Sequence, residues 1–322
     1  MLKLETSGAS FSSCADRFCT EGYRDGLTPL EQLDVLFSLE GLSGIPLMVP
    51  LEYKDLAFIS EKLLKAGKKV GTVAPDTYIS RKWKNGALMN RDPVIRKDMI
   101  RLIKQCMDIS AAFEGSDVLL WLANDGYDYP FEDDYSARWD YLLDGLSELA
   151  EYNPNVKLSL EYKSKEPRTK QYISDYGKAM FICETLKYDN LGVVVDIGHS
   201  LFAGENPAEA AAITLKYDKL FHVHLNDNYR TWDDDLILGG VHFWETLEMF
   251  WVLNAAYYDG WYTLDIWPSR LDGLDALKES VARVQMFDAL SRRLPKNEIK
   301  KMQNENRTTD IMKILREYCV KI

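Results

Sequence analysis

Four apolar runs in this chain end in groups that ionise or bind metals. Lys157-Leu-Ser-Leu-Glu161-Tyr-Lys163 carries Glu161 and Lys163 two residues apart, on one face of an extended strand. Leu191-Gly-Val-Val-Val-Asp196 is almost purely apolar and stops at a carboxylate. Phe221-His222-Val-His224-Leu-Asn226 alternates, so His222, His224 and Asn226 share a face, and Tyr262-Thr-Leu-Asp265-Ile-Trp267 sets Asp265 among aromatic residues. A lone carboxylate in such surroundings is costly to ionise and must be protonated or paired. One of these residues alone reads as a helix cap or a satisfied core group. Four of them at strand ends read as one centre, in which a divalent cation neutralises Glu161, Asp196 and Asp265 while neutral His224 supplies a nitrogen. That donor set favours Mn²⁺, Mg²⁺ or Co²⁺ over a closed structural Zn²⁺ site, with Zn²⁺ still possible.

A second group lies beside the first. His199 is three residues past Asp196, and Asp233-Asp234-Asp235 follows His224 by nine to eleven residues. Alone, an acidic triplet reads as a solvated turn. After a metal-bearing strand, His199, Asp233 and Asp235 can hold a second cation about 4–5 Å from the first, near the separation usual in two-metal sites. Lys163 can neutralise a substrate oxygen, or instead pair with Glu161 or Glu166. Trp121, Trp83 and Trp267 offer faces for a sugar ring, though each equally suits the core. His222 points inward and is placed on the substrate side or just behind the ligands; His242 opens a helix and reads as structural.

These groups need a frame. Strand candidates are Gly44–Pro50, Lys69–Ala74, Asp117–Ala123, Lys157–Lys163, Leu191–Asp196, Lys219–Leu225 and Trp261–Trp267, with a weaker one at Leu4–Phe11. Helix candidates between them are Asp55–Lys65, Asp92–Phe113, Ser136–Glu151, Gln171–Leu186, Pro207–Tyr217, His242–Ala256 and Asp275–Leu290. Strand and helix alternating to eight strands predicts a (β/α)8 barrel, whose active site lies at the C-terminal ends of the strands. An open doubly wound sheet would normally show a Gly-rich phosphate loop, and neither common form is present. The barrel domain is expected over residues 1–294, with a helical extension over 295–322.

With 322 residues, the chain can bury a large core without disulfides. Its net charge of −11 disfavours nucleic acid and acidic membranes, which need basic patches. The five cysteines, Cys14, Cys19, Cys106, Cys183 and Cys319, form no C-x-x-C and suggest a reducing cytoplasm. No apolar run is long enough for a membrane span, and the N-terminus lacks the pattern of a signal peptide.

The chain resembles the xylose isomerase-like barrel superfamily, and within it the L-rhamnose isomerase branch. Glu161-Tyr-Lys163-Ser-Lys-Glu166-Pro167 is similar to an E-x-K-x-x-E-P segment, and Asp196-Ile-Gly198-His199 to D-x-G-H. His224-Leu-Asn226-Asp227 with Asp233-Asp234-Asp235 resembles H-x-N-D…D-D-D, with one extra residue between, and Asp265 matches the last ligand. Gly86 to Pro93 resembles the opening of the third helix, while Trp121 and Asp125-Gly126-Tyr127 match a substrate-side tryptophan and its loop.

The resemblance implies a structural metal at Glu161, Asp196, His224 and Asp265, a catalytic metal at His199, Asp233 and Asp235, and a homo-oligomer, dimer or tetramer. Where the rhamnose isomerases read L-H-x-P, this chain reads Leu47-Met48-Val-Pro50, so the histidine that assists ring opening or substrate positioning is absent. The implied activity is aldose–ketose isomerisation by metal-assisted hydride shift, with one or two divalent ions, Mn²⁺ first among them. Lys163 would stabilise the oxyanion, and Asp233 or Asp235 would guide the hydroxyl proton. The alternatives are a ketose epimerase working through an enediolate, with Glu161 and Asp265 as bases and one metal, and a non-catalytic sugar-binding barrel.

Overall fold

The computed structural model describes residues 2–51, 55–166 and 169–320. Eight parallel strands close into a barrel: β1 (Lys3–Thr6), β2 (Gly44–Val49), β3 (Lys69–Pro75), β4 (Asp117–Trp121), β5 (Lys157–Glu161), β6 (Leu191–Asp196), β7 (Leu220–Leu225) and β8 (Trp261–Leu264). Each strand pairs with its sequence neighbours, and β1 closes the ring between β8 and β2. This is the expected (β/α)8 architecture.

The helices that cover the barrel are α1 (Pro29–Ser38), α2 (Leu56–Ala66), α3 (Pro93–Ala111), α4 (Tyr135–Tyr152), α5 (Tyr176–Leu186), α6 (Ile197–Phe202), α7 (Pro207–Lys216), α8 (Phe243–Ala255) and α9 (Gly273–Arg293). Two more, α10 (Lys296–Asn304) and α11 (Thr308–Cys319), form the C-terminal extension and add Ile299, Met302 and Ile314 to the common core. Helix α1 was not among the expected elements, although its signals are local. Thr28 and Glu31 form a capping box, and Pro29 occupies the first turn. The strand expected at Leu4–Phe11 ends at Thr6, because Ser7 turns the chain into a 3-10 helix over Gly8–Phe11 by accepting from the Ala9 N–H. Pro167 lies outside the described residues.

The barrel interior is not purely apolar. Beneath the strand ends, Glu5, Thr72, Asp117, Ser159, His222 and Thr263 are all buried and joined to one another. His222 Nδ1 lies 3.0 Å from Asp117 Oδ1, and its Nε2 lies 2.8 Å from Thr263 Oγ1. Thr263 donates to Glu5 Oε1 at 3.0 Å, and the other Glu5 oxygen accepts from the Gly71 N–H at 2.9 Å. A Cβ at Gly71 would lie 2.4 Å from that oxygen, so only glycine fits there. Burial opposes ionisation of Asp117, but the facing imidazole of His222 and hydrogen bonds from His222, Ser159 and Thr72 outweigh it and hold the carboxyl below its usual value.

His222 therefore balances a buried carboxylate. His222→Ala is expected to cost about 3 kcal/mol or more of unfolding free energy at neutral pH, measured by urea titration. The folded-state pKa of Asp117 is depressed, so its stabilising contribution is present above pH 3.8 and is lost as pH falls through the folded value. The deficit of the variant should thus narrow in acid; a deficit that does not change with pH would contradict this account.

Candidate metal centre

Four strand ends bring Glu161, Asp196, His224 and Asp265 together. Glu161 closes β5, Asp196 closes β6, and Asp265 follows β8. His224 lies in β7, in register with Asp196 on one side and Thr263 on the other. One donor atom from each of the four lies within 4.8 Å of the others. His224 Nδ1 is 3.1 Å from Glu161 Oε1, 3.5 Å from Asp265 Oδ2 and 3.6 Å from Asp196 Oδ2. Glu161, Asp196 and His224 are buried, whereas the Asp265 side chain is 46% exposed and faces the mouth of the barrel.

Asp196 combines the two roles that its position allows. Its Oδ1 caps α6 by accepting from the His199 N–H at 2.8 Å, while Oδ2 turns toward His224. The cap makes His199 the third residue of a helix that starts at Asp196 itself. His199 Nδ1 then lies 3.3 Å from Glu161 Oε1, and its Nε2 lies 3.1 Å from Asp233 Oδ2. The His199 ring thus bridges the four-residue cluster and the acidic loop after β7.

Lys163 faces the same loop. Its Nζ is 2.7 Å from Asp233 Oδ2 and 2.9 Å from Glu166 Oε2, and it lies 4.8 Å from the centre of the Trp121 ring. Both ion pairs are present, so the partner is Glu166 together with Asp233 rather than Glu161. Asp235, in a left-handed backbone conformation at φ +47°, accepts from the Trp267 N–H at 2.9 Å and so joins the acidic loop to the end of β8.

The electrostatics follow from crowding. Burial disfavours charge on His199, but Asp196 and Asp233 prevail and raise it to about 9. Burial likewise opposes charge on His224, and Glu161, Asp196 and Asp265 hold it well above the usual histidine range. Asp233 is buried too, yet His199 and Lys163 keep it far below an ordinary carboxyl. Asp235 has less help: burial and then the charges of Asp233 and Asp265 push it well above the usual range. Lys163 pays a burial penalty that Asp233, Asp235 and Glu166 overcome, so it stays protonated.

This donor set fits a divalent cation. Among the described residues, Glu161 Oε1, His199 Nδ1 and His224 Nδ1 are buried and make no well-formed hydrogen bond, although they sit close to one another. Polar atoms left this way are costly unless something else binds them. Hard carboxylate oxygens with one imidazole suit Mn²⁺, Mg²⁺ or Co²⁺. Asp233 stands beside His199, and Asp235 is near enough to Asp233 and Asp265 to feel their charges.

The other expected residues are distributed differently. His222 faces inward one layer below His224, with its ring nitrogens engaged by Asp117, Thr72 and Thr263, which sets it behind the cluster. Trp83 is buried in the core. Trp267 is 40% exposed at the mouth and Trp121 partly buried beneath Lys163. His242 caps α8 from outside the cluster, paired with Asp227 at 2.8 Å. Asp125 accepts from the N–H groups of Ala87, Leu88 and Met89, and so fastens the segment before α3. Met48 lies on β2, where it offers no donor.

Mn²⁺ added to metal-stripped protein should stabilise it by about 2.7 kcal/mol at a hundredfold excess over its Kd, read as a rise in melting temperature. Asp196→Asn should remove most of that gain. An equal gain in wild type and variant would place the ion elsewhere.

Known proteins resemble the chain in sequence and shape. The xylose isomerase of Thermus thermophilus is 26% identical over 224 residues, which is 67% of this chain and 58% of that protein. That of Thermus caldophilus is 25% identical over 202 residues, 61% of this chain and 52% of that protein. The chain thus spans little more than half the length of these curated relatives. Among solved structures, an L-ribulose 3-epimerase superposes with a TM-score of 0.71 at 16% identity, covering 93% of this chain and 98% of its own, a likeness of fold. The family model of the xylose isomerase-like TIM barrel matches residues 53–287, most of the chain, and the protein belongs to that family.

Proposed function

We propose that this protein is a sugar isomerase that interconverts an aldose and a ketose with the help of divalent metal. The observation that carries this reading is the second donor group. His199 and Asp233 face each other at 3.1 Å, next to the four-residue cluster, and Asp235 feels the charges of Asp233 and Asp265. The single-metal alternative uses the four-residue cluster alone. Glu161, Asp196, His224 and Asp265 would hold one ion, and His199, Asp233 and Asp235 another, Mn²⁺ being favoured by the oxygen-rich donors. Bound there, such ions supply Lewis acidity toward neighbouring oxygens of an open-chain sugar.

The chain's own groups do the rest. Lys163, kept charged by Asp233 and Glu166, fixes a positive charge beside the oxygen on which negative charge develops. Trp121 lies under its ammonium and offers an apolar wall that excludes water. Asp235, facing the second ion as a carboxylate, would guide the hydroxyl proton between the C1 and C2 oxygens. Hydrogen then moves from C2 to C1 as a hydride while the C2 hydroxyl gives up its proton and the C1 oxygen gains one, which leaves the atoms balanced. The missing histidine at Met48 favours a substrate with a substantial open-chain fraction.

The epimerase reading finds support in Asp265, which is open to solvent and could reach a substrate carbon. Its partner base, Glu161, is 4% exposed with its oxygen directed at two imidazoles, an awkward place for a carbon base.

Metal-loaded enzyme should convert aldoses to ketoses of four to six carbons and lose turnover when a chelator removes the metal. In D2O the product should keep its carbon-bound hydrogen; deuterium at carbon would support the enediolate epimerase instead. Lys163→Met should lower kcat by a factor of about 10² or more, given what one preorganised charge contributes to an oxyanion. Sugar binding without turnover, unaltered in Asp235→Asn, would point to a non-catalytic barrel.

A further inference from the structure

Directly after β7, the segment Asn226-Asp227-Asn228 is fully buried and hydrogen-bonds to three separate parts of the site. Asn226 Nδ2 donates to Asp196 Oδ2 at 3.1 Å, and Asn226 Oδ1 accepts from the Gly198 N–H at 2.7 Å. Asn228 Nδ2 donates to the Gly198 carbonyl at 2.8 Å and reaches Asp233 Oδ1 at 3.5 Å. The N–H and the C=O of one residue, Gly198, are therefore gripped by two amides spaced two apart. A Cβ on Gly198 would lie 2.4 Å from Asn226 Oδ1, so the grip requires glycine. Asp227 between them closes the base of the acidic loop. Its carboxylate accepts the N–H groups of Val241 at 2.7 Å and His242 at 2.9 Å, and its carbonyl accepts that of Leu236 at 2.8 Å.

We infer that Asn228 is a positioning residue for the second donor group, setting His199 and Asp233 at their mutual distance through Gly198, while Asn226 does the same for Asp196 in the first group. The inference rests on the two-metal reading given above. His199 follows Gly198 directly, so whatever holds the Gly198 carbonyl also orients the first turn of α6 and the imidazole. The same Asn228 amide reaches Asp233, the partner of His199 Nε2. Residues two apart on an extended chain point the same way, so the spacing of the two amides is set covalently and transmitted to both groups. An amide suits the position because it donates without adding negative charge to a site already crowded with carboxylates. Such outer partners typically govern metal affinity nearly as strongly as the ligands do.

The test is a Co²⁺ titration of the metal-stripped full chain, followed by visible absorption and calorimetry. Wild type should bind two ions. In Asn228→Ala, the weaker-held second ion should lose about 10–100-fold in affinity, with a changed absorption band, while the first is unchanged. If wild type binds two ions and Asn228→Ala keeps both affinities, or loses both equally, the positioning role is overturned and the two-metal reading stands. If wild type binds a single ion, the two-metal reading falls and this inference with it. Circular dichroism of the metal-free variant checks folding. Should Asn228→Ala unfold, Asn228→Ser, whose hydroxyl is too short to reach the Gly198 carbonyl, carries the same expectation.

Discussion

Repulsion among carboxylates is the constraint on which the rest of this structure depends. Glu161, Asp196, Asp233, Asp235 and Asp265 converge at one end of a barrel, the first three buried and Asp265 open to water. Left alone they would protonate or force the strands apart. Among the described residues, two imidazoles and one ammonium stand against them, and each is driven toward its charged form: His199 to about 9, with His224 and Lys163 held above their usual ranges. Even so, Asp235 remains unfavourable as an anion. A site arranged this way is built for added positive charge, and binding a cation relieves a strain that folding creates.

The barrel accommodates this by stacking two kinds of polar layer. In the lower layer, Glu5, Asp117 and His222 reach balance among themselves with hydroxyl partners, so it needs nothing from outside. In the upper layer, three buried atoms on Glu161, His199 and His224 make no well-formed hydrogen bond among the described residues. The two layers draw on similar residue types, and they differ in whether their hydrogen bonds close. His222 and His224, two residues apart on one strand with rings 5.4 Å apart, belong to opposite cases. The Asn226–Asn228 strap then joins the upper layer to the acidic loop, so that the ligand geometry depends on residues that touch no ligand-binding space themselves.

Much of the fold was legible because its causes are local. Runs of six to eight residues between amphipathic stretches mark the strands, and Asp55 and Asp92, which open two of the expected helices, act as the caps of α2 and α3. Helix α1 has equally local causes, since Thr28, Pro29 and Glu31 spell out its start. Within the site, Asp196 illustrates why single-residue interpretation is limited. Helix cap and metal ligand looked like competing assignments, but its two oxygens allow both.

By itself the amino-acid sequence determined which residues can stand at strand ends and on which face, since period two and strand length depend only on neighbours along the chain. That sufficed to assemble Glu161, Asp196, His224 and Asp265 as a candidate centre. Only the closed barrel decided depth. Whether an inward histidine meets a polar cluster or a private carboxylate depends on how strands far apart in sequence are set beside or across from one another, as Asp196 in register with His224 and Asp117 facing His222 across the interior. Likewise, the pairing of Lys163 with Glu166 and Asp233, and the grip of Asn226 and Asn228 on Gly198, arise from loops brought together by barrel closure. Distances of that kind are set by how strands tilt and stagger around the ring, which no local pattern encodes.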